Sequence, residues 1–384
     1  MRLAPRDTVA ARHNRLREAI LAAGLDALVV THLPNLFYLT NFLGTAGIAV
    51  VTHEKLYLIL DFRYSAAAKE WWDSPYGCPN GEIVPVDRTY DETLTALIKK
   101  LQSKRVGIEG AYMPVNRATE LGRSLGDAVS LVPTDGMVER LRIVKDAHEI
   151  EMLRKGGQLL SVVAADVLKE IKSGMKEQEF AARIDWRIKS AGFERCSFET
   201  IVASGPNAAL PHAHAGERVM RDGDLVVLDF GGVYGGYCVD LTRTVALGDP
   251  GPDARAWHAA VLEAQSAAVA AVAPGRTPHD VDRAARQVLD THGLGPRFTH
   301  GTGHGLGLEV HEAPRVGPPR ADAAGAPMTG TARLPDHLVP GMVFTIEPGA
   351  YVPGRGGVRI EDDVLVTVSG VEVLTNVPRT LVLD

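Results

Sequence analysis

The sequence predicts an α+β protein made of two successive domains. The chain has 384 residues, and at roughly 100–200 residues per domain this length predicts two domains. Helix-like and strand-like segments alternate over about the first 140 residues, which is typical of an α/β domain. Beyond that point, helices are grouped together and hairpins are grouped together, which indicates an α+β domain. We place the boundary at the entry to a long helix, so that the predicted domains are 1–144 and 145–384.

The N-terminal domain begins with a helix predicted over residues 7–23, with Asp7 or Thr8 as N-cap and Gly24 as the stop. Apolar runs bounded by polar residues and glycine predict its further elements. In chain order these are strands at "DALVVTH", "GIAVVTH" and "KLYLIL", helices at "RYSAAAKEWW" and "DETLTALIKKLQ", and a strand at "RVGIEG". No polar residues in this domain show a spacing typical of a catalytic site.

The C-terminal domain opens with "DAHEIEMLRKGGQLLSVVAADVLKEIKSG", whose apolar positions recur near period 3.6 and predict a long helix ending near Gly174. The later elements are a helix at "KEQEFAARIDWRIKSAG", a strand at "FETIVASG", a hairpin over 226–243, helices near 253–273 and 278–292, and strands near 342–351, 357–368 and 371–375. Residues 313–340 are rich in proline, glycine and alanine and lack periodicity. We expect a long loop there that shapes access to a site or an oligomer contact.

Composition and charge argue against several classes of function. Lysine and arginine number 41 against 47 acidic residues, a net charge of −6, which does not suggest a nucleic-acid or anionic-membrane partner. The three cysteines, Cys78, Cys196 and Cys238, are far apart, which fits a reducing compartment better than a disulfide scaffold. No signal-peptide core and no stretch of about 18 uncharged apolar residues is present. We therefore expect a cytoplasmic protein with no membrane or nucleic-acid partner.

The segment "DFGGVYGGYCVDLTRTV" reads as an apolar hairpin that nevertheless carries two aspartates. If the hairpin turns at Tyr234 and Gly235, Asp229 lies directly opposite Asp240 on one face of the sheet. Like charges placed in this way repel one another. In an apolar setting one carboxyl must hold a proton, or a positive charge must lie between them.

A second acidic pair occurs in "FTIEPGAYVPGRGGVRIEDD" near the C-terminus. A hairpin centred on Gly354 places Glu347 opposite Glu361. A single acidic pair of this kind often lies at the solvated edge of a sheet. Two such pairs in one domain indicate that the four carboxylates share a chemical role.

The segment "THGTGHGLGLEVHEAP" supplies His300, His304 and His311 among glycines that let other groups approach closely. It superficially resembles a dinucleotide-binding glycine loop, but that pattern requires glycine where Leu306 or Leu308 stands. We therefore reject a dinucleotide site here.

Four carboxylates and an imidazole form a mixed oxygen and nitrogen ligand set. Two divalent cations about 3.5–4 Å apart commonly occupy such a set. Because oxygen ligands predominate, Mn²⁺ is the favoured metal, with Co²⁺, Zn²⁺ and Fe²⁺ as alternatives. The sequence thus predicts that the acidic hairpins hold metal.

The ordered contexts "DFGG", "VDLTRT", "GTGHGLGLEVHE", "TIEPG" and "RIED" resemble the pita-bread metallopeptidases, which include methionine aminopeptidase, prolidase and aminopeptidase P. The resemblance covers roughly residues 147–384. "SGPNAALPHAHAGERVMRDGDLVVLDFGG" and "GVRIED" resemble the proline-specific branch, as does the presence of an N-terminal α/β domain, for which "LDFRY" is a weaker marker. The resemblance implies a pita-bread (creatinase/aminopeptidase) catalytic domain preceded by a smaller creatinase-like N-terminal domain.

The resemblance implies a role for each proposed ligand. Asp229 and Asp240 would bind the first metal ion, with Asp240 also touching the second. His304 and Glu347 would complete the coordination of the second ion, and Glu361 would bridge the two ions. A bridging hydroxide would be the nucleophile, because bound metal lowers the pKa of water from 15.7 to about 7. Glu347 would also shuttle its proton.

Further residues of the resemblance contact the substrate. His212 would contact it on the far side of the metals, although a plain loop histidine is the alternative. His311 would stabilise the tetrahedral oxyanion. His300 and Arg359 would line the proline side, where Arg359 can pair with a carboxylate bidentately or, alternatively, only orient a metal ligand. His214 has no role that the resemblance implies.

The leading interpretation is an Xaa-Pro aminopeptidase, a dinuclear metallopeptidase that acts on small peptides with proline second. Proline lacks an amide N–H and has a fixed φ, so its peptide bond calls for a dedicated pocket. The alternative is an Xaa-Pro dipeptidase (prolidase), which must recognise a free proline carboxylate. The "DFRY" type of N-terminal domain favours the aminopeptidase, and the resemblance also implies a homodimer.

Other classes of function fit less well. A metal-free creatinase-type hydrolase on this fold lacks the acidic ligand set, whereas all five ligands are present here. The same ligand set argues against a non-catalytic peptide-binding homologue. The H-x-H in "PHAHAG" prompts an amidohydrolase, but that motif belongs on the first strand of an eight-fold barrel and lies past mid-chain here.

Overall fold

The computed structural model of the chain describes residues 2–319 and 336–382. It separates into two compact units, and the division falls between Arg142 and Ile143. The predicted loop over 313–340 lies largely outside the described residues. Within the described ranges, no helix combines the length and apolar character needed to span a membrane.

The first unit is a six-stranded mixed sheet accompanied by helices. Its elements are α1 Arg6–Ala22, β1 Ala27–Val30, α2 Leu33–Thr40, β2 Ile48–Thr52, β3 Leu56–Leu60, α3 Phe62–Trp72, β4 Gly81–Pro85, α4 Tyr90–Lys100, β5 Arg105–Glu109, α5 Val115–Leu125, β6 Ser130–Thr134 and α6 Glu139–Ile143. The strand order is β4-β3-β2-β1-β5-β6, with β1–β2 and β2–β3 antiparallel and the other pairs parallel. Strand β1 is buried along its whole length, as expected where both faces of a sheet are covered. The predicted α/β character of this half is confirmed.

The "LDFRY" segment forms the start of α3. The Asp61 carboxylate accepts the Arg63 backbone N–H at 2.9 Å and thereby caps the helix. The same carboxylate accepts a hydrogen bond from the Tyr90 hydroxyl at 2.9 Å and pairs with the Arg63 guanidinium. The segment therefore has a structural role as a helix cap.

The second unit combines four long helices with antiparallel strands. Its elements are α7 Ala147–Glu170, α8 Glu177–Ser190, β7 Ile201–Ser204, β8 Leu225–Tyr234, β9 Tyr237–Ala246, α9 Gly251–Ala271, α10 Pro278–Thr291, β10 Gly303–Gly305, β11 Glu312–Val316, β12 Val343–Ile346, β13 Gly349–Val352, β14 Gly356–Arg359, β15 Asp362–Thr367 and β16 Gly370–Val373. The strands form sheets ordered β7-β8-β9 and β11-β10-β12-β15-β16, and a separate β13–β14 pair. The predicted α+β character is confirmed.

Two boundaries differ from the prediction. Helix α7 begins at a capping box formed by Asp146 and Glu149, but it ends at Glu170 rather than near Gly174, because Ile171 adopts extended backbone. The strands predicted over 342–351 and 357–368 are each broken in two. One break lies at Pro348, which has no N–H to donate to a ladder.

The turn of the β8–β9 hairpin also differs from the prediction. It is made by Gly235 and Gly236 rather than by Tyr234 and Gly235, and Tyr234 pairs with Tyr237. The two glycines have φ of +60° and +86°. A two-residue turn of type I′ needs positive φ at both positions, which glycine adopts without strain. Placing Tyr234 in the turn would force a bulky side chain into that region.

This turn changes the pairing of the two aspartates. Asp229 lies opposite Thr242, and Asp240 lies opposite Gly231, so the prediction that the aspartates are directly opposed was wrong. The shift is two residues, and side chains alternate between faces with a period of two. Asp229 and Asp240 therefore remain on the same face as diagonal neighbours.

The core of the second unit lies between helices α9 and α10 and the five-stranded sheet. Val281, Ala285 and Leu289 recur at helical spacing along α10 and are fully buried. They pack in one cluster with Phe344 of β12 and Val364 of β15. This packing fixes α10 beside the sheet that carries the histidine segment.

Candidate metal centre

A cavity of about 540 Å³ opens in the second unit. Its volume lies within the range of roughly 300–1,000 Å³ typical of small-molecule sites. All nine residues that the sequence singled out line it, namely His212, Asp229, Asp240, His300, His304, His311, Glu347, Arg359 and Glu361. The structure thus brings together side chains from segments up to 149 positions apart in the chain.

The four acidic residues come from two hairpins. Asp229 and Asp240 lie on the same face of β8 and β9. The pairing register of β12 with β15 continues without a shift into the pairing of β13 with β14, on the way to the turn that contains Gly354. Glu347 and Glu361 lie between these two ladders and are therefore opposite each other. The predicted arrangement of this second pair is confirmed.

Three of the proposed ligands already form a compact group. One ligand atom from each of Asp240, His304 and Glu361 lies within 4.8 Å of the others. Glu347 joins them, since its Oε1 is 3.3 Å from His304 Nε2. Carboxylate oxygens and imidazole nitrogen are donors that Mn²⁺, Co²⁺, Fe²⁺ and Zn²⁺ accept.

His304 is oriented by its backbone surroundings. Its Nδ1 lies 3.1 Å from the Gly305 carbonyl oxygen, which can only accept, so Nδ1 carries the proton and Nε2 keeps its lone pair. A side chain at Gly303 would place its Cβ 1.9 Å from the Thr345 carbonyl oxygen. Glycine at this position therefore allows β10 to approach β12 closely enough to bring the imidazole to the acids.

The buried negative charges of this group favour the binding of cations. Burial raises the pKa of Asp240 well above its usual range, and the neighbouring carboxylates of Glu361 and Asp229 raise it further. Burial and the charges of Glu347 and Asp229 do the same for the pKa of Glu361. The Oδ1 atoms of Asp229 and Asp240 are buried and accept no hydrogen bond from any described residue. Buried carboxylate oxygens without donors fit metal ligands, because a cation supplies the missing positive charge.

Two threonines hold the glutamates and were missed by the sequence reasoning. The Thr242 hydroxyl donates to Glu361 Oε2 at 2.6 Å, and the Thr345 hydroxyl donates to Glu347 Oε1 at 3.1 Å. Thr345 Oγ1 also accepts the backbone N–H of His304 at 3.1 Å. Thr345 precedes Glu347 by two residues, so the alternation of a strand was the signal that could have found it.

Arg359 forms a chain of contacts that ends at His300. Its Nη2 donates to Asp229 Oδ2 at 2.5 Å, and its Nη1 donates to the Tyr351 hydroxyl oxygen at 2.9 Å. That hydroxyl lies 2.9 Å from His300 Nε2. Since His300 Nδ1 donates to the Gly301 carbonyl at 2.7 Å, Nε2 accepts from Tyr351. Tyr351 was not singled out from the sequence, although the hairpin centred on Gly354 places it on the same face as Arg359, as a diagonal neighbour.

Most of the donors of Arg359 are used inside the protein. In addition to Asp229 and Tyr351, the guanidinium donates to Thr242 Oγ1 and to the Pro211 carbonyl, each at 3.2 Å. Of its five N–H groups, this leaves one on Nη2 without a partner among the described residues. Arg359 therefore orients Asp229, and not Glu361, as its first contact.

Two histidines lie at the more open side of the cavity. His311 is exposed, and its ring centre is 4.2 Å from that of His304. His212 is also exposed on the cavity wall. Partial burial and the neighbouring His304 and His212 lower the pKa of His311, and burial lowers the pKa of His300, so both favour the neutral form. His214 pairs with Glu199 at 3.2 Å at the edge of the cavity.

Comparison with known proteins finds family matches over both units. The model of "Metallopeptidase family M24" matches residues 151–368, and that of "Creatinase/Prolidase N-terminal domain" matches residues 12–144. An Xaa-Pro dipeptidase from Pyrococcus horikoshii is 34% identical over 361 residues, covering 93% of this chain and 95% of its own. A solved Xaa-Pro dipeptidase from Bacillus anthracis superimposes with a TM-score of 0.87 at 35% identity, covering 98% of this chain and 100% of its own. An X-Pro aminopeptidase from Thermotoga maritima gives a TM-score of 0.82 at 32% identity, with 95% and 100% covered.

Proposed function

We propose that this chain, which belongs to metallopeptidase family M24, cleaves the bond between an N-terminal residue and proline with two divalent metal ions in the cavity described above. The pita-bread resemblance predicted from the order of motifs is confirmed by the two family matches. The family makes the chain a metal-dependent peptidase. The number of ions, the Xaa-Pro specificity and the aminopeptidase activity are what we propose here.

The observation that carries the proposal is the convergence of four carboxylates and one imidazole in a single cavity. Asp229 and Asp240 would hold the first ion, and Asp240 would also touch the second. His304 and Glu347 would complete the coordination of the second ion, and Glu361 would contact both ions. The mainly oxygen ligand set favours Mn²⁺, with Co²⁺, Zn²⁺ and Fe²⁺ as alternatives.

Divalent ions held in this way lower the pKa of water toward about 7 and polarise a scissile carbonyl. The protein supplies the proton transfers. Burial raises the pKa of Glu347, so its carboxyl can take up a proton and pass it to the departing proline nitrogen. His311 and His212 face the cavity from its open side and can donate hydrogen bonds to the carbonyl oxygen as negative charge develops on it.

The proline side of the substrate would lie against His300 and Arg359. The cavity has the volume of sites that hold drug-sized ligands, which are larger than a dipeptide, so residues beyond proline have room. This supports an Xaa-Pro aminopeptidase. An Xaa-Pro dipeptidase is the second candidate, favoured by the names of the Pyrococcus and Bacillus relatives and by the one N–H of Arg359 that remains for a free carboxylate.

The decisive experiment compares Ala-Pro with Ala-Pro-Ala as substrates for the chelator-treated enzyme before and after addition of Mn²⁺. We expect no hydrolysis without metal and cleavage of both peptides with it. Asp240→Asn should abolish this turnover. Asp253→Asn, an exposed acid paired with Arg355, should not change it. Cleavage of the dipeptide alone would establish the dipeptidase, and chelator-resistant cleavage would contradict the proposal.

The homodimer and the cytoplasmic location expected from the sequence belong to the same proposal. Light scattering should give twice the chain mass of 41.2 kDa. A monomeric mass with full activity would contradict the dimer without affecting the chemistry.

A further inference from the structure

Asp282 and Arg286, one turn apart on α10, form an ion pair directed at the histidine segment. The Asp282 side chain is fully buried, and that of Arg286 is 27% exposed. Arg286 Nε lies 2.7 Å from Asp282 Oδ2, and Nη2 lies 3.0 Å from Oδ1, so the contact is bidentate. The guanidinium also lies 4.3 Å from the centre of the Phe298 ring.

The remaining hydrogen bonds of the pair reach the backbone of residues 298–302. Asp282 Oδ1 accepts the Thr302 backbone N–H at 3.1 Å and the Thr302 hydroxyl at 2.9 Å. Arg286 donates from Nη1 to the Phe298 carbonyl at 3.1 Å and from Nη2 to the His300 carbonyl. Two side chains on one helix thus fix the backbone on both sides of His300.

Thr302 connects this pair to two proposed ligands. It precedes His304 by two residues, and its carbonyl accepts the backbone N–H of Glu347 at 2.7 Å. Thr302 is itself fully buried. Any movement of its backbone is therefore transmitted both to the imidazole and to the carboxylate.

We infer that Asp282 and Arg286 are positioning residues that set the spacing of His304 and Glu347 through Thr302. The inference rests on the proposed function, in which these two ligands belong to the second ion. Neither Asp282 nor Arg286 lines the cavity, so their influence must pass through the backbone. A buried ion pair contributes little net stability compared with apolar residues of similar volume, whereas partners that orient ligands strongly affect metal affinity.

The test uses Asp282→Asn in the full chain, with Asp280→Asn as the matched control. In the variant, the amide that replaces Oδ2 would direct N–H groups at Arg286 Nε, and the bidentate contact would be lost. Asp280 lies on the same helix and makes a capping box with Thr277, but it does not contact residues 298–302. Its change weakens the helix without altering the proposed connection.

The first readout is hydrogen exchange of the metal-free protein. We expect at least tenfold faster exchange in peptides that cover 298–305 and Glu347 in Asp282→Asn, with no change in peptides from β8 and β9. Asp280→Asn should leave both sets of peptides as in the wild type. Unchanged exchange at 298–305 in Asp282→Asn would overturn the inference, whatever the protein binds.

The second readout is calorimetric titration of the chelator-treated protein with Mn²⁺. We expect the second ion to bind 10–100-fold more weakly in Asp282→Asn while the affinity for the first is retained, as is usual when an outer partner of a ligand is lost. Equal weakening of both ions would indicate a general structural role and overturn the inference. If the wild type bound a single ion, the two-ion proposal would fail, but the exchange result would still decide the positioning role. Arg286→Lys, which cannot make the fork, provides the same comparisons if Asp282→Asn does not fold.

Discussion

Glu361→Gln should make the metal-free protein more stable and the metal-loaded protein less stable than the wild type. Glu361 is buried, and its pKa is raised by burial and by the charges of Glu347 and Asp229. Without metal, these carboxylates either repel one another or take up protons. Glutamine has nearly the same shape and can still accept the hydrogen bond from Thr242, but it carries no charge.

The size of the effect follows from the distance between the acids. Ligand oxygens of Glu361 and Asp240 lie within 4.8 Å of each other. Two unit charges at that distance repel by ~3.5 kcal/mol at an effective dielectric constant of ~20. Proton uptake relieves part of this repulsion, so the gain in stability of Glu361→Gln is smaller than the repulsion between two full charges. For a unit of 150–250 residues, 1 kcal/mol shifts the melting temperature by about 2–4 °C, so we expect a rise of several degrees.

The sign of the pH dependence follows from the raised pKa. An acid whose pKa is higher in the folded state contributes stability below its unfolded pKa and loses that contribution as pH rises through the folded pKa. The metal-free wild type should therefore lose stability as pH rises above about 4.3, and the advantage of Glu361→Gln should grow over the same range.

The assay is thermal unfolding from pH 5 to pH 8, with chelator and with excess Mn²⁺. Glu372→Gln is the control, because Glu372 is a partly exposed acid that pairs with Arg154, and its neutralisation removes a favourable contact. With Mn²⁺ at about 1,000 times its dissociation constant, the wild type should gain roughly 4.1 kcal/mol and overtake Glu361→Gln. A melting temperature of Glu361→Gln at or below that of the wild type in chelator at pH 8 would refute the reasoning.

Three further outcomes follow from individual contacts. In Arg359→Lys, the single ammonium group cannot contact Asp229 and Tyr351 at the same time, as the guanidinium does. A lost hydrogen bond to a charged group costs about 1.5–3 kcal/mol, so kcat/KM should fall roughly 10–100-fold. Tyr351→Phe removes the hydroxyl between Arg359 and His300, and steady-state kinetics should show a decrease of only about 2–10-fold. Burial lowers the pKa of His13 to about 4, which favours its neutral form. The contribution of neutral His13 to the free energy of unfolding is fully present above pH 6.5 and is lost as pH falls toward 4, by about 2 kcal/mol at pH 5. Urea unfolding should show this loss in the wild type and a smaller loss in His13→Gln.

The order of ligand motifs could be predicted from the sequence because each ligand lies in a strand or glycine-rich segment with a recognisable neighbourhood. The register of the first hairpin was predicted wrongly, although the sequence contained the signal. The pair Gly235–Gly236 meets the need of a type I′ turn for two positive φ values, which Tyr234–Gly235 does not. Turn chemistry should therefore outweigh the symmetry of a charged pair when a register is assigned.

Other parts of the site could not be predicted from spacing. Tyr351 contacts His300, which lies on a separate segment, and Asp282 contacts Thr302 from a helix twenty residues earlier. Such contacts depend on how elements pack against each other, and no local periodicity records them. They are also the contacts through which the cavity is held in shape.

The backbone of the two glutamates shows how the separate segments meet. Ile360 N donates to the Pro348 carbonyl, so the next opposed pair, Glu347 and Glu361, occupies a non-hydrogen-bonded position of the antiparallel register, where backbone N–H groups point away from the partner strand. Glu347 N donates to the Thr302 carbonyl at 2.7 Å, and Glu361 N donates to the Thr242 carbonyl at 3.1 Å. One bond joins the hairpin to the histidine segment, and the other joins it to the strand that carries Asp240. Because these outward-pointing groups bond to neighbouring segments, the hairpin that carries Glu347 and Glu361 is held beside both His304 and Asp240.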